Sequence, residues 1–344
     1  VSGVCFAKLG HEVVCVDKDP GKICKLNVGI SPIFEPGLSE SIQDAVERGR
    51  LKFTTDLAAA LHQCDAVFIA VGTPSRRGDG QADLSYVFSA AEEIAENLDH
   101  FAVIVTKSTV PVGTNRTVLE IIRGIKPELE LEVASNPEFL REGAAITDFM
   151  TPDRIVVGTE NERAHSILSD IYKPLSEEGY PLVFMDVESA EMTKYAANAF
   201  LAMKITFINE MAGLCEKVGA DISHISLGMG LDKRIGDRFL QAGPGYGGSC
   251  FPKDTLAIAR TGQNFGHRLR LIETTIEVND AIKERMVERV LSGCGGTLAG
   301  KRLLVLGVTF KANTDDMRDA PSLTIIPELL KRGATVCVVD PQGR

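Results

Sequence analysis

Short apolar runs bounded by polar turns recur along the first half of the chain. Residues 11–17 (HEVVCVD), 51–55 (LKFTT), 65–74 (DAVFIAVGTP), 101–111 (FAVIVTKSTVP), 131–137 (LEVASNP) and 153–158 (DRIVVG) are rich in Val, Ile and Phe without strict alternation. Such runs read as strands covered on both faces. Residues 1–10 read as the back half of a helix closing at Gly10, and helical periodicity fills residues 56–63, 84–98 and 113–124. Strands alternating with amphipathic helices predict a doubly wound, Rossmann-like parallel sheet. After a further strand at 181–187 the pattern changes. Residues 188–220 hold a helical pattern with no internal proline, longer than most globular helices, and further helical segments cover 220–230, 254–266 and 269–294. Strand, polar loop, helix and strand then follow through residues 301–341. The expected organisation is an α/β domain over 1–187, a central helical domain over 188–298 and the start of a second parallel unit over 299–344.

A chain of 344 residues with 44% hydrophobic content can bury two or three cores. Its 37 basic against 47 acidic residues leave a net charge of -10, and the basic residues are scattered. Nucleic acid is therefore not the expected partner. No apolar run reaches the length of a membrane span, and eight cysteines without CxxC or Cys/His pairs suggest neither a disulfide framework nor a metal site. A soluble, cytoplasmic protein is expected.

In a doubly wound sheet, ligands bind outside the carboxyl ends of the strands. There lie Asp17, the turns Gly72-Thr73-Pro74 and Lys107-Ser108-Thr109-Val110-Pro111, and residues 136–143 (NPEFLREG). A carboxylate at the end of a strand that follows a helix accepts hydrogen bonds from an adenosine ribose and repels a 2′-phosphate, which favours NAD over NADP. Many parallel strands also end in an acid. Lys18 and Lys22 stand close enough in sequence to serve the same ribose or phosphate, or to be solvated surface lysines. The G-x-G-x-x-G turn that would precede such a strand is not in the chain, and both ends read as cut.

On the long helical segment Lys194 and Asn198 share a face, with Asn209 further along the stripe. They are either its solvent edge or the lining of a polar pocket. Residues 243–254, GPGYGGSCFPKD, set Cys250 behind four glycines and follow it with Lys253 and Asp254. Glycines let bare backbone approach a ligand, and a thiol becomes a nucleophile where positive charge or oriented N–H groups favour the thiolate. The plainer reading is a turn with a buried, inert cysteine.

Together VGTP, KSTVPVG, SNPEFLREG, KYAANAFLA, RIGDRFLQAGPGYGGSCFPKD and GVTFKANTDDMRD, in this order and spread over nearly the whole chain, resemble the UDP-glucose/GDP-mannose dehydrogenase family. The resemblance implies a four-electron oxidation at C6 of UDP-glucose to UDP-glucuronate, with two NAD+ and one water. It also implies a thiohemiacetal and then a thioester on Cys250. By the same resemblance Lys194, with Asn198, takes the first proton or holds the oxyanion, Asp254 and Thr109 hold the water, and Glu138 is a base in the hydrolysis. Phe139, Leu140, Arg141, Phe239, Tyr246, Gly247 and Lys311 resemble substrate-binding positions. Arg234 resembles an arginine that reaches the sugar of a neighbouring subunit in a homodimer or higher oligomer. Asp17, Lys18, Lys22, Gly72, Thr73, Ser108, Thr109, Glu142 and Arg318 fall where NAD is held.

Relatives acting on UDP-N-acetylmannosamine usually carry His-Cys-Ile where this chain has Ser249-Cys250-Phe251, and GDP-mannose enzymes tend to have Leu after the cysteine. Those substrates are the nearest alternatives. A non-catalytic nucleotide-sugar binder would not need Cys250, and a 3-hydroxyacid dehydrogenase would need neither that thiol nor a second unit after Lys301.

Overall fold

The computed structural model describes residues 1–76 and 80–343. The described residues fall into two compact units, residues 1–76 and 82–194 in the first and 80–81 and 195–343 in the second.

In the first unit α1 (Ser2–Lys8) leads through Gly10, at φ +106, into β1 (Val13–Val16). Next comes α2 (Pro20–Asn27), which starts where the Asp19 carboxylate accepts the Gly21 and Lys22 N–H groups and Pro20 fills the first turn. After α3 (Leu38–Glu47), β2 (Leu51–Thr54) pairs parallel with β1. The chain continues through α4 (Leu57–Leu61), β3 (Ala66–Ile69), α5 (Ser85–Asn97), β4 (Ala102–Thr106), α6 (Thr114–Ile125) and β5 (Leu131–Ser135). It then runs through α7 (Ala145–Met150), β6 (Ile155–Gly158), α8 (Glu162–Glu177) and β7 (Leu182–Met185). The larger sheet has the order β3-β4-β5-β6-β7.

Strand β4 shows why the run is apolar throughout. All five of its residues are buried, and alternate side chains enter different cores. Ala102 and Ile104 join Val87, Ala91, Val118 and Ile122 from α5 and α6, whereas Val103 and Val105 meet Cys5, Phe6, Leu168 and Tyr172 from α1 and α8. Helices therefore cover both faces.

The expected strands are present, but the sheet is not parallel throughout. β6 runs antiparallel to β5, the two meeting in one pair, Ser135 with Gly158, and β7 is parallel to β6. A parallel return needs a crossover long enough to carry the chain back along the strand. The six residues of α7 rise only about 9 Å. The periodicity reading also passed over α2, α3, α7 and α8.

The long helix α9 (Val187–Val218) has 32 residues, counting with the first unit up to Lys194 and with the second from Tyr195. The second unit adds α10 (Ile222–Gly230), α11 (Phe251–Asn264), α12 (Arg270–Gly293), β8 (Arg302–Leu306), α13 (Ser322–Lys331) and β9 (Thr335–Val339), with β8 and β9 parallel. Val287 of α12 shares a core with Leu298, Leu329 and Ala334. The stretch after residue 299 therefore packs on the helical part rather than standing apart. Among the described residues no helix is long and apolar enough to cross a membrane.

Candidate active site

In the first unit the turns after β3 and β4 are fastened to each other. Thr73 Oγ1 donates to the Thr109 carbonyl at 3.0 Å, and Ser108 Oγ donates to the Val71 carbonyl at 2.6 Å. Gly72 is exposed, with open space where a Cβ would stand. Asp17 follows β1 and accepts from the Lys22 ammonium and the Asp19 N–H. Partial burial pushes its carboxyl up, but those two donors outweigh it and hold the group below its ordinary range. Lys18 instead pairs with Glu93 on α5.

The loop after β5 carries the polar cluster. Lys194 Nζ lies 3.4 Å from Glu138 Oε1 and 5.3 Å from the centre of the Phe139 ring, while the Arg154 guanidinium stacks on that ring at 3.8 Å. Glu138 also accepts the Leu140 N–H at 2.6 Å, which fixes its rotamer. Lys194 is only 3% exposed. Its face of α9 is therefore buried rather than a solvent edge. Arg141 is held by Asp148 through two nitrogens, and Glu142 is half-buried beside it.

Three buried groups here, Glu35, Glu191 and Tyr172, are not among the sequence candidates. Glu35 accepts the Gly143 and Ala145 N–H groups and so shapes the loop from behind. Glu191, 2% exposed, accepts the Gly113 and Asn115 N–H groups at 2.7 and 2.9 Å and closes the start of α6. Burial pushes its carboxyl up. Lys107, also buried, donates to Asn136 Oδ1 at 3.0 Å, and the Tyr172 hydroxyl donates to the same oxygen. Glu191 had a signal, since it falls on the Lys194–Asn198 stripe of the helix. Glu35 and Tyr172 had none.

In the second unit Cys250 is the N-cap of α11, and Pro252 lies in the first turn. Negative charge at such a position meets the unpaired N–H groups of a helix start. Ser249 Oγ is 3.5 Å from Cys250 Sγ. One turn on, Asp254 is 1% exposed, its carboxylate held by Asn198 Nδ2 and Lys253 Nζ, each at 2.6 Å. The glycine loop is tied at several points. The Gly243 N–H donates to Asn209 Oδ1 at 2.7 Å, the Tyr246 N–H to Asn279 Oδ1 at 2.8 Å and the Gly248 N–H to the Arg318 carbonyl at 2.8 Å. A Cβ on Gly247 would stand 2.3 Å from the Asp319 carbonyl oxygen, which excludes any other residue in this backbone position.

Phe239, at φ +65, and Tyr246 place their rings about Phe251 at 6.0 and 6.1 Å. The first unit thus gathers Glu138, Phe139 and Lys194, and the second Asn198, Cys250 and Asp254. Arg234 is exposed and chelates Asp232, Arg318 bonds Asp316, and Lys311 is exposed beside the Phe310 ring. Among the described residues no group of three acids, histidines or cysteines is placed to hold a metal ion.

The NAD binding domain of the UDP-glucose/GDP-mannose dehydrogenase family matches residues 1–176, its central domain residues 188–281 and its UDP binding domain residues 304–344. A UDP-glucose 6-dehydrogenase of Rhizobium meliloti (strain 1021) is 58% identical over 345 residues, covering 100% of this chain and 79% of that protein. Among solved structures, a UDP-glucose dehydrogenase of the archaeon Pyrobaculum islandicum superposes with a TM-score of 0.94 at 43% identity, covering 99% of this chain and 79% of the other. A UDP-D-ManNAc dehydrogenase of Pyrococcus horikoshii follows at 0.89 and 25%, covering 100% and 81%. The nucleotide-type sheet and these likenesses define an NAD-dependent oxidoreductase. The chain belongs to the UDP-glucose/GDP-mannose dehydrogenase family.

Proposed function

We propose that this enzyme oxidises UDP-glucose at C6 to UDP-glucuronate in two steps through a covalent thioester on Cys250. The observation that carries the reading is Cys250 at the N-cap of α11, with the buried Asp254 one turn on, clamped by Asn198 and Lys253. NAD+, when bound, supplies the hydride acceptor for both oxidations. The chain's own groups fit it: the Asp17 carboxylate at the end of β1 and the bare Gly72 backbone after β3 stand where a parallel nucleotide-binding sheet holds a dinucleotide.

The alcohol first loses a hydride and a proton, the proton leaving through Lys194 or a water that it holds, and gives an aldehyde. Cys250 sulfur attacks the aldehyde carbon and the oxygen takes a proton, forming a thiohemiacetal. Loss of a second hydride and a proton makes the thioester. Water, held by Asp254 and Thr109 with Glu138 as base, then adds to the thioester carbon and the thiol departs, leaving the carboxylate. Phe139, Leu140 and the glycine loop bind the nucleotide sugar, while Arg141 positions the loop through Asp148.

The experiment counts NADH per sugar with UDP-glucose, GDP-mannose and UDP-N-acetylmannosamine. Two NADH per UDP-glucose is expected, and one NADH or a preference for the guanine nucleotide refutes the reading. Cys250→Ser should bind UDP-glucose and NAD+ yet yield at most one NADH per site, and near-normal turnover would remove the thiol from the mechanism.

The three-part organisation, with boundaries near 187 and 298, is retained as a proposal. So is a homodimer, supported by the exposed side chains of Phe200, Phe207 and Leu214, 57%, 44% and 51% exposed at even spacing along α9. If Arg234 serves the partner's site, mixing Arg234→Ala with Cys250→Ala subunits restores activity, and no recovery despite subunit exchange refutes it. Eight thiols fit a reducing, cytoplasmic setting.

A further inference from the structure

Helix α9 grips the start of α6 with two carboxylates of different character. The Glu188 side chain is 40% exposed and pairs with Arg116, which also reaches Glu160. Glu191, about one turn on, is 2% exposed and holds mainly backbone. Its Oε2 accepts the Gly113 N–H at 2.7 Å, and its Oε1 accepts the Asn115 N–H at 2.9 Å and the Asn115 side-chain amide at 2.7 Å. A side chain at a helix's own N-cap ordinarily satisfies such N–H groups. Here the N-cap is Gly113, which has none, and the acceptor comes from 76 positions away in sequence. Asn115 Oδ1 is left buried without a partner among the described residues, an arrangement that a helix needing only a cap would avoid.

The turn that leads into α6 is tied at its other end to β3. The Thr109 carbonyl accepts from Thr73 Oγ1 at 3.0 Å, and Ser108 Oγ donates to the Val71 carbonyl at 2.6 Å. Between the two ties the Pro111 carbonyl accepts the Thr114 N–H at 3.1 Å and its hydroxyl at 2.6 Å. Lys194 lies three positions after Glu191, on the same face of α9 and 3% exposed.

We propose that Glu191 is a positioning residue for the hydrolysis step: its carboxylate ties the turn that carries Thr109 to the helix that carries Lys194, and so fixes where the Thr109 hydroxyl stands. This rests on the role given above to Thr109 in holding the water. A local cap on α6 would satisfy the same N–H groups without burying a charge from a second helix, but it would leave the turn and α9 free to shift against each other. A group that holds an attacking water has to keep its place to within about 0.5 Å. The long-range carboxylate supplies that constraint.

The test compares Glu191→Gln, which sets an amide NH2 against one of the backbone donors, with Glu188→Gln, which breaks only the outer pair with Arg116. In Glu191→Gln kcat for UDP-glucose should fall about tenfold to a hundredfold, with KM changed by less than about twofold. The first NADH should form at the wild-type rate in stopped flow, and mass spectrometry should find the thioester accumulating on Cys250. Glu188→Gln should keep wild-type kinetics. The loss caused by Glu191→Gln should largely vanish in a Thr109→Val background, because the carboxylate then has no hydroxyl left to place. Glu191→Asp, whose carboxylate is about 1.5 Å short of the donors, takes the place of the glutamine variant if that one does not fold. Amide hydrogen exchange needs no substrate: residues 108–115 should lose protection in Glu191→Gln and keep it in Glu188→Gln. Failure of the wild type to oxidise UDP-glucose would count against the proposed substrate and leave the exchange comparison intact. Wild-type kcat or unchanged exchange in Glu191→Gln, a slowed first NADH without thioester, or an equal loss in the Thr109→Val background would each overturn the proposal.

Discussion

Replacing Lys107 by methionine should show what the buried ammonium costs the fold. The folded protein holds this proton less tightly than the unfolded chain does, with the group brought from 10.5 to about 8, chiefly by burial. The unfolded state therefore binds more protons between those values, and wild-type stability rises with pH across that window. Below about pH 8 the charged form carries the full penalty. A difference of about 2.5 pH units corresponds to about 3 kcal/mol. Methionine has nothing to titrate, so the stability difference between variant and wild type should shrink by about 3 kcal/mol between pH 7 and pH 10.5. The lost hydrogen bond to Asn136 offsets the curves but leaves this pH dependence unchanged. Urea unfolding of both proteins across the range, read by hydrogen exchange at the β4 and β5 amides, measures the first unit alone. Parallel pH curves would refute the reasoning, because they would mean the ammonium is solvated in the folded state.

Asp254→Asn keeps the shape of the clamp between Asn198 and Lys253 but removes its charge, so hydrolysis should slow while the thioester still forms; mass spectrometry after mixing with UDP-glucose and NAD+ should find the adduct on Cys250, and a bare thiol at reduced turnover would count against the assignment. Glu191→Ala leaves the Gly113 and Asn115 donors buried without an acceptor and should cost about 2–4 kcal/mol in urea unfolding; a loss below about 0.5 kcal/mol would show that water replaces the carboxylate. Gly247→Ala drives a methyl into the Asp319 carbonyl and should lower kcat about a hundredfold with NAD+ binding intact, while wild-type kcat would show that the loop is free to shift.

Apolar runs made the sheet and the long helix legible, because burial on two faces and a sustained helical period leave one-dimensional traces. Lys194, Asn198 and Asp254 were legible as polar residues out of place: a lysine and an amide on an apolar stripe, and an acid following a glycine-dense thiol loop. The reversal of β6 was not, since direction depends on how the chain leaves β5, and a polar loop with a short helix looks alike for either outcome. Glu35 and Tyr172 stayed hidden for a related reason. Each meets its partner only after folding, and Tyr172 lies 36 positions from Asn136. Asn209, read from its stripe as either solvent edge or pocket lining, is buried and accepts the Gly243 N–H through its side-chain oxygen.

The ties between the glycine loop and residues 310–319 bear on the order in which the protein is made. Gly248 bonds the Arg318 carbonyl, Gly247 lies against Asp319 and Gly248 against Phe310, all of which leave the ribosome well after Cys250. A chain is made from its N-terminus, so the loop around the thiol is completed only when residues near 320 have folded against it. Until then the nascent protein carries Cys250 on a loop that lacks the contacts of Gly247 and Gly248 with Asp319, Arg318 and Phe310.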